Sequence, residues 1–225
     1  MTDRHELVIL PDPGAVARRG AEAVAEAAHA AAEAHGAFAL AVSGGRTPRR
    51  MFERLGELAV PWDRTGLWQV DERVAPDGHA DRNLTGLLEA LPDAGRRTVR
   101  PMPVTDPDLE AAAAGYAADL PPVFDLIHLG IGDDGHTASL VPADPVLDVE
   151  DRDVALTGEY RGRRRMTLTY PPLDRASLVV WLVVGADKAA ALARLLASDP
   201  SIPAGRVRAS RQLVFADADA AADLA

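Results

Sequence analysis

An α/β fold, with a mostly parallel sheet and helices on both faces, follows from three observations. Short β-rich runs alternate with Ala-rich helical stretches at the spacing of βαβ units. Several runs, Val179-Val180-Trp181-Leu182-Val183-Val184 above all, are continuously apolar, as strands buried on both faces of a parallel sheet must be. No Pro-, Gly- or Ser-rich linker interrupts the chain, so residues 1–225 read as a single domain.

The strand candidates in order are Glu6–Pro11, Phe38–Val42, Thr65–Val70, Phe124–Leu129, Met166–Thr169, Ser177–Val184 and Gln212–Ala216. The helix candidates are Pro13–Ala34, Pro48–Leu58, Asn83–Leu91, Pro107–Leu120 and Ala186–Ala197. Alanine gives these stretches high helix propensity, and Pro13, Pro48 and Pro107 suit first-turn positions.

Composition removes several function classes. The chain has 24 Lys+Arg against 34 Asp+Glu, a net charge of −10, which argues against coating a nucleic acid. It has no cysteine, so disulfides, zinc–thiolate sites and cysteine nucleophiles are excluded. The longest apolar run, Leu178–Gly185, is far short of the ~20 residues that cross a bilayer. The charged start Met1–Glu6 has no signal-peptide core, and a cytoplasmic protein is expected.

In open α/β sheets ligands bind beyond the carboxyl ends of strands, so the loops there matter most. Ser43-Gly44-Gly45-Arg46-Thr47-Pro48 has glycines for close backbone approach, a capping threonine and a first-turn proline. It serves either as a plain strand-to-helix turn or as an anion site at a helix N-terminus. It is no Walker A loop, because the Gly-Lys-Ser/Thr ending is missing. Asp71-Glu72-Arg73 closes a strand and reads either as a solvated charged turn or as a functional group of two carboxylates and a guanidinium fork.

The third loop, Gly130-Ile131-Gly132-Asp133-Asp134-Gly135-His136, spells G-x-G-x-x-G, yet two aspartates stand where a pyrophosphate would lie. What it offers instead is His136 with carboxylates two and three residues before it, the setting of a general base. Metal binding by Asp133, Asp134 and His136 would lack a second histidine at ligand spacing. His5, His29, His35, His79 and His128 lack such a setting and read as surface or packing residues. Arg165 ends the run Arg161-Gly162-Arg163-Arg164-Arg165 before a strand edge, where it is placed to enter an anion site; Arg161, Arg163 and Arg164 read as surface. Lys188 opens a helix after the most apolar strand, either as a surface lysine or as a phosphate partner. There is no G-x-S-x-G elbow for a serine hydrolase.

Together these segments resemble the 6-phosphogluconolactonase family, in family order along nearly the whole chain. Ser43–Pro48 is similar to its Ser-Gly-Gly-x-Thr-Pro loop and Trp68–Pro76 to its Asp-Glu-Arg segment. Gly130–Pro142 is similar to its Gly-x-Gly-x-Asp-Gly-His-Thr-Ala-Ser-Leu-Phe-Pro signature, and Arg165–Thr169 and Gly185–Ala189 complete the set. Asp81-Arg82-Asn83 departs from the usual Ser-Asn, and Val141 from the usual Phe. The resemblance implies a Rossmann-like fold, shared with glucosamine-6-phosphate deaminases and ribose-5-phosphate isomerases. It also implies hydrolysis of 6-phosphoglucono-δ-lactone without metal or organic cofactor. The deaminases typically continue after their histidine toward Phe-Asn-Glu-Pro, where this chain has Thr137-Ala138-Ser139-Leu140, and show Asp-Glu-Tyr where it has Asp71-Glu72-Arg73.

The expected mechanism has His136 as base toward water, oriented by Asp134 or by Asp71. Backbone N–H groups of Gly130–Gly135 or the Arg73 side chain would stabilise the oxyanion. The 6-phosphate would sit on Ser43, Gly44, Gly45 and Thr47, with Lys188 and Arg165 as cationic partners. A small sugar-phosphate lactone is the expected partner, with no nucleic acid and no membrane, and the protein is expected to be a monomer or weak oligomer.

Overall fold

The computed structural model describes residues 4–224. Ten strands form β1 (His5–Leu10), β2 (Phe38–Val42), β3 (Thr65–Gln69), β4 (Asp71–Arg73), β5 (Val99–Arg100), β6 (Leu126–Leu129), β7 (Val154–Leu156), β8 (Arg165–Leu168), β9 (Val179–Val183) and β10 (Gln212–Asp217). The α-helices are α1 (Pro13–His35), α2 (Arg46–Leu55), α3 (Asn83–Ala90), α4 (Asp93–Arg96), α5 (Leu109–Ala118), α6 (Tyr170–Asp174) and α7 (Ala189–Leu196). Seven strands build one sheet in the order β1-β10-β9-β6-β2-β3-β5, and every neighbouring pair is parallel.

The continuously apolar runs occupy the places their composition requires. In β9, Val180 and Leu182 join a core with Val24, Phe52 and Leu87 from α1, α2 and α3. Val179, Trp181 and Val183 join the opposite core, with Ala113 and Tyr116 from α5 and Leu192 and Leu195 from α7. Alternate side chains of one strand thus supply both faces, which is why the run has no polar interruption.

Local signals set the helix ends. Asp12 caps α1 by accepting from Ala15 N–H at 2.8 Å, and Gly36, with φ of 85°, ends it in a left-handed conformation. Asp108 caps α5 through Ala111 N–H. The glycine loop differs from expectation. Helix α2 begins at Arg46, so Thr47 lies inside the first turn and does not cap it, and Pro48 is the third residue rather than the first. The cap position belongs to Gly45, whose φ of 126° suits only glycine. Proline is still tolerated, because first-turn N–H groups have no intrahelical acceptor.

The run Met166–Thr169 is a strand, but not of the parallel sheet. Its element β8 lies between β4 and β7 in a separate three-stranded antiparallel sheet. The reason is chain length: β7 and β8 are joined only by residues 157–164, too few for the crossover of a dozen or more that a parallel pair needs. The two sheets meet at Val70. Its N–H bonds Val42 O of the parallel sheet and its C=O accepts from Leu168 N–H of the small one.

Strands after β2 in the chain (β3, β5) add on one side of it, whereas those after β6 (β9, β10) add on the other. The sheet therefore has its topological switch between β2 and β6, where a crevice opens beyond the strand ends. The glycine loop after β2 and the histidine loop after β6 leave from there.

Beside the crevice, Glu72 is fully buried. It accepts from Gln69 Nε2 and from the N–H groups of Arg73, Asn83 and Leu84, so that it caps α3 from a distance. Arg82, also buried, forms an ion pair with it at 3.0 Å and bonds Ala75 O. Removing one member of such a pair leaves a buried charge short of its partner. We expect Arg82→Ala to lose about 3–5 kcal/mol in urea denaturation, with Arg82→Lys recovering only part of it.

Candidate active site

Ser43, Gly44, Asp71, Arg73, Asn83, Gly130, Ile131, His136, Ala138 and Arg165 line a narrow cleft of about 140 Å³ at the switch. A second cleft of about 200 Å³ shares Gly44, Arg73 and Asn83 with it and adds Gly45, Arg46, Arg49 and Arg82. Two walls come from the parallel sheet, through the loops after β2 and β6. The third comes from the small sheet, through β4 and β8.

The β6 loop presents the histidine. Gly132 N–H bonds His136 O at 2.8 Å and Gly135 N–H bonds Gly132 O at 3.0 Å, folding the loop on itself. Gly135, at φ of 81°, lies against Ile202, and its C=O accepts from Ala204 N–H. Asp134 Oδ1 accepts from His136 N–H at 3.1 Å and stands 2.5 Å from His136 Nδ1. A carboxylate only accepts, so Nδ1 carries the hydrogen and Nε2 keeps its lone pair. Partial burial pushes the Asp134 carboxyl up. Hydrogen bonds from the His136 backbone and ring, the imidazole charge and a bond from Tyr160 outweigh it, holding the group below its ordinary value.

Asp71 was one of two candidates to orient the histidine, and its bonds lie elsewhere. Oδ2 accepts from Ser139 Oγ at 2.6 Å and Oδ1 from Asn83 Nδ2 at 3.2 Å. Burial pushes its carboxyl up, and the Ser139 bond with the Arg73 and Arg165 charges offsets this only in part. Arg165 is buried too, which lowers its pKa against the raising effect of Asp71. Its guanidinium reaches Ser139 Oγ at 3.4 Å and lies over the Tyr160 ring.

Other residues singled out in the sequence lie outside both clefts. Thr47 and Lys188 line neither cleft. Lys188 is held by Asp187 at 3.0 Å, near enough to the start of α2 for Arg46 to act on the same carboxyl. The N–H groups of Gly132 and Gly135 are consumed inside their loop, which removes them as oxyanion donors. Arg161 and Arg163 are paired with Asp133 and Asp81 at the rim. His128 is buried under Ser43, whose N–H approaches its Nδ1, and burial pulls its pKa down to about 3, so it packs as a neutral ring.

Sequence reasoning assigned no role to Asn83, Ser139 or Tyr160. Asn83 stands where α3 begins and seals the wall behind Gly44, so tightly that a Cβ on Gly44 would lie 2.2 Å from its Oδ1. The signal for it was an amide at a helix start soon after a carboxylate pair. Tyr160 carried no signal, because its place depends on a hairpin that the sequence did not disclose.

Gly132 tests the dyad's geometry directly. A Cβ there would lie 2.0 Å from His136 Nδ1 and 2.6 Å from Asp134 Oδ1, so the side chains must separate. Gly132→Ala is expected to keep the circular dichroism spectrum of the parent and to lose about 10²-fold in turnover, as misplaced catalytic groups do.

Comparison with known proteins finds relatives along almost the whole chain. A 6-phosphogluconolactonase from Nostoc sp. is 32% identical over 234 residues, covering 96% of this chain and 97% of the relative. The crystal structure of 6-phosphogluconolactonase from Thermotoga maritima superposes with a TM-score of 0.84 at 27% identity, covering 95% of this chain and 99% of that one. A monomeric glucosamine-6-phosphate deaminase has the same fold, with a TM-score of 0.81 at 16% identity, covering 97% of this chain and 99% of its own. The family model described as glucosamine-6-phosphate isomerases/6-phosphogluconolactonase matches residues 11–215, which contain every side chain of the cleft, and the chain belongs to that family.

Proposed function

We propose that the cleft hydrolyses 6-phosphoglucono-δ-lactone to 6-phosphogluconate with His136 as general base and Asp134 as the group that orients it. The observation that carries this is the 2.5 Å contact between Asp134 Oδ1 and His136 Nδ1, which leaves Nε2 basic in a cleft walled by two arginines. The lactonase relatives favour this ester, and the absence of the deaminases' extra carboxylate sequence after His136 argues against isomerisation.

In the proposed reaction Nε2 takes a proton from water as its oxygen bonds to C1. Negative charge then gathers on the carbonyl oxygen, facing Arg73 or Arg165, whose guanidinium groups take the place of the Gly132 and Gly135 N–H groups as oxyanion donors. Collapse breaks the bond from C1 to the ring oxygen, and the imidazolium returns its proton to that oxygen. The reaction as written uses only water and side chains. Asp71 acts at one remove, fixing Ser139 and Asn83 and supplying negative charge beside Arg165.

For the phosphate, the second cleft supplies Gly44, Gly45 and the start of α2 with Arg46, Arg49 and Arg73 around it. Ser43 lines the passage from the first cleft. Lys188 joins only if it leaves Asp187, and Arg165 serves the sugar end rather than the phosphate. The proposal treats residues 1–225 as one working unit, because the cleft draws on positions from 43 to 165 and its loop is braced by Ala204. Among the described residues no helix is long and apolar enough to cross a membrane. A cytoplasmic monomer or weak oligomer, independent of nucleic acid, completes the proposal.

The decisive experiment generates the lactone with glucose-6-phosphate dehydrogenase and follows its loss, corrected for spontaneous hydrolysis. His136→Gln should lower turnover by roughly 10²–10⁴-fold, and near-parental turnover would refute the assignment. Glucosamine-6-phosphate and ribose-5-phosphate, assayed in parallel, should give no product. Arg73→Ala is expected to raise KM at least severalfold, whereas Lys188→Ala should do so only if that side chain exchanges Asp187 for phosphate. Asp134 keeps its charge until the pH falls below the ordinary carboxylate range through its lowered pKa, so activity lost at mildly acid pH should not come from Asp134.

A further inference from the structure

Between β7 and β8 the chain reverses through Tyr160-Arg161-Gly162-Arg163. Tyr160 and Arg163 exchange backbone hydrogen bonds, and Arg161 and Gly162 have φ of 52° and 77°. Positive φ at both central residues is the type I′ turn that fits the twist of a two-stranded ribbon. Arg161 holds this conformation without being glycine, and its side chain is tied to Asp133 in the histidine loop. The turn therefore fixes the reach of Tyr160.

From there Tyr160 touches three elements of the site. Its hydroxyl donates to Asp134 Oδ2 at 2.9 Å, the oxygen that His136 does not use. Its ring meets the His136 ring edge to face, with centroids 5.5 Å apart and planes at 63°. The Arg165 guanidinium lies 4.9 Å from its centroid and that of Arg161 lies 5.1 Å away. A free carboxylate rotates about its Cβ–Cγ bond, but one that accepts on both oxygens does not.

We infer that Tyr160 is the positioning residue of the Asp134–His136 pair and the platform for Arg165. This rests on the proposed function of that pair. The hydroxyl draws negative charge toward Oδ2, away from the oxygen that faces the imidazole, so its removal returns that charge to Oδ1 and favours the protonated ring. The charged groups facing the pair are few: Asp133 in its own loop, Arg161 in the turn, Arg165 on β8, and Asp71 and Arg73 on β4. No hydrogen bond joins any of these to Asp134 Oδ2, whereas Tyr160 bonds it.

Tyr160→Phe, Tyr160→Leu and His136→Gln are compared in the full chain by kcat and KM across pH and by NMR titration of the His136 ring. Tyr160→Phe keeps the ring. It is expected to lower kcat about 3- to 10-fold, leave KM within about twofold, and move both the acid limb and the NMR titration upward by about half a pH unit. Tyr160→Leu also removes the surface under Arg165 and should raise KM severalfold. An unchanged His136 titration in folded Tyr160→Phe overturns the positioning role, and an unchanged KM in folded Tyr160→Leu overturns the platform. If His136→Gln keeps its activity, the reading of His136 as base fails, while the NMR titration still decides the role of Tyr160. Thermal melting curves matching the parent show that each variant is folded.

Discussion

The site depends on the burial of one carboxylate. Glu72 is fully enclosed, and it is tolerable there only because four N–H donors and the Arg82 ion pair surround it. The four donors belong to three structural elements. Gln69 ends the parallel strand β3, Arg73 ends β4, and Asn83 and Leu84 begin α3. Fixing the start of α3 fixes Asn83, which then bonds Asp71 and closes the wall behind Gly44. Remove this charge and the cleft loses one side, although no atom of Glu72 faces it.

The second constraint is electrostatic. The chain carries a net charge of −10, yet the two clefts gather Arg46, Arg49, Arg73, Arg82 and Arg165. Screening confines the influence of exposed acids to roughly 8–10 Å, so attraction at the cleft is decided by its own walls. Within them Asp71 and Arg165 are both buried and each relieves the other in part. That balance keeps a cation near the sugar end without a direct ion pair that would neutralise it. Asp134 stands apart from this pair, more exposed and committed to the histidine, so two aspartates of one site hold different duties by environment alone.

Much of this was legible in the residues. Short β-rich runs located β2, β3, β6 and β9, and glycines beyond β2 and β6 marked the loops that form the crevice. His136 with Asp134 followed from their spacing. The small sheet did not, because β4 and β7 are too short to carry a period and β4 pairs with a distant part of the chain. Asp71-Glu72-Arg73 read equally well as a solvated turn. What makes it otherwise is Arg82 arriving from the far side of a loop, an encounter no local pattern encodes. Thr47 and Lys188 stand outside the two clefts for the same reason: residue type predicted their chemistry, while the dihedral angles of Gly45 and the proximity of Asp187 determined where they stand.

The junction at Val70 has a consequence for length. One residue carries the chain from the parallel sheet into the antiparallel one, with both its backbone groups bonded, so the connection has no slack. Asp71 and Glu72 are consecutive in a strand and face opposite ways, one toward the cleft and the other toward α3. A substitution here alters one side chain, whereas inserting or deleting a single residue would exchange the two: the glutamate would enter the cleft and the aspartate would be asked to cap a helix it is too short to reach. Insertions and deletions are ordinarily tolerated where chains pass between sheets, but this crossing is intolerant of them, and its length is as much a part of the catalyst as its composition.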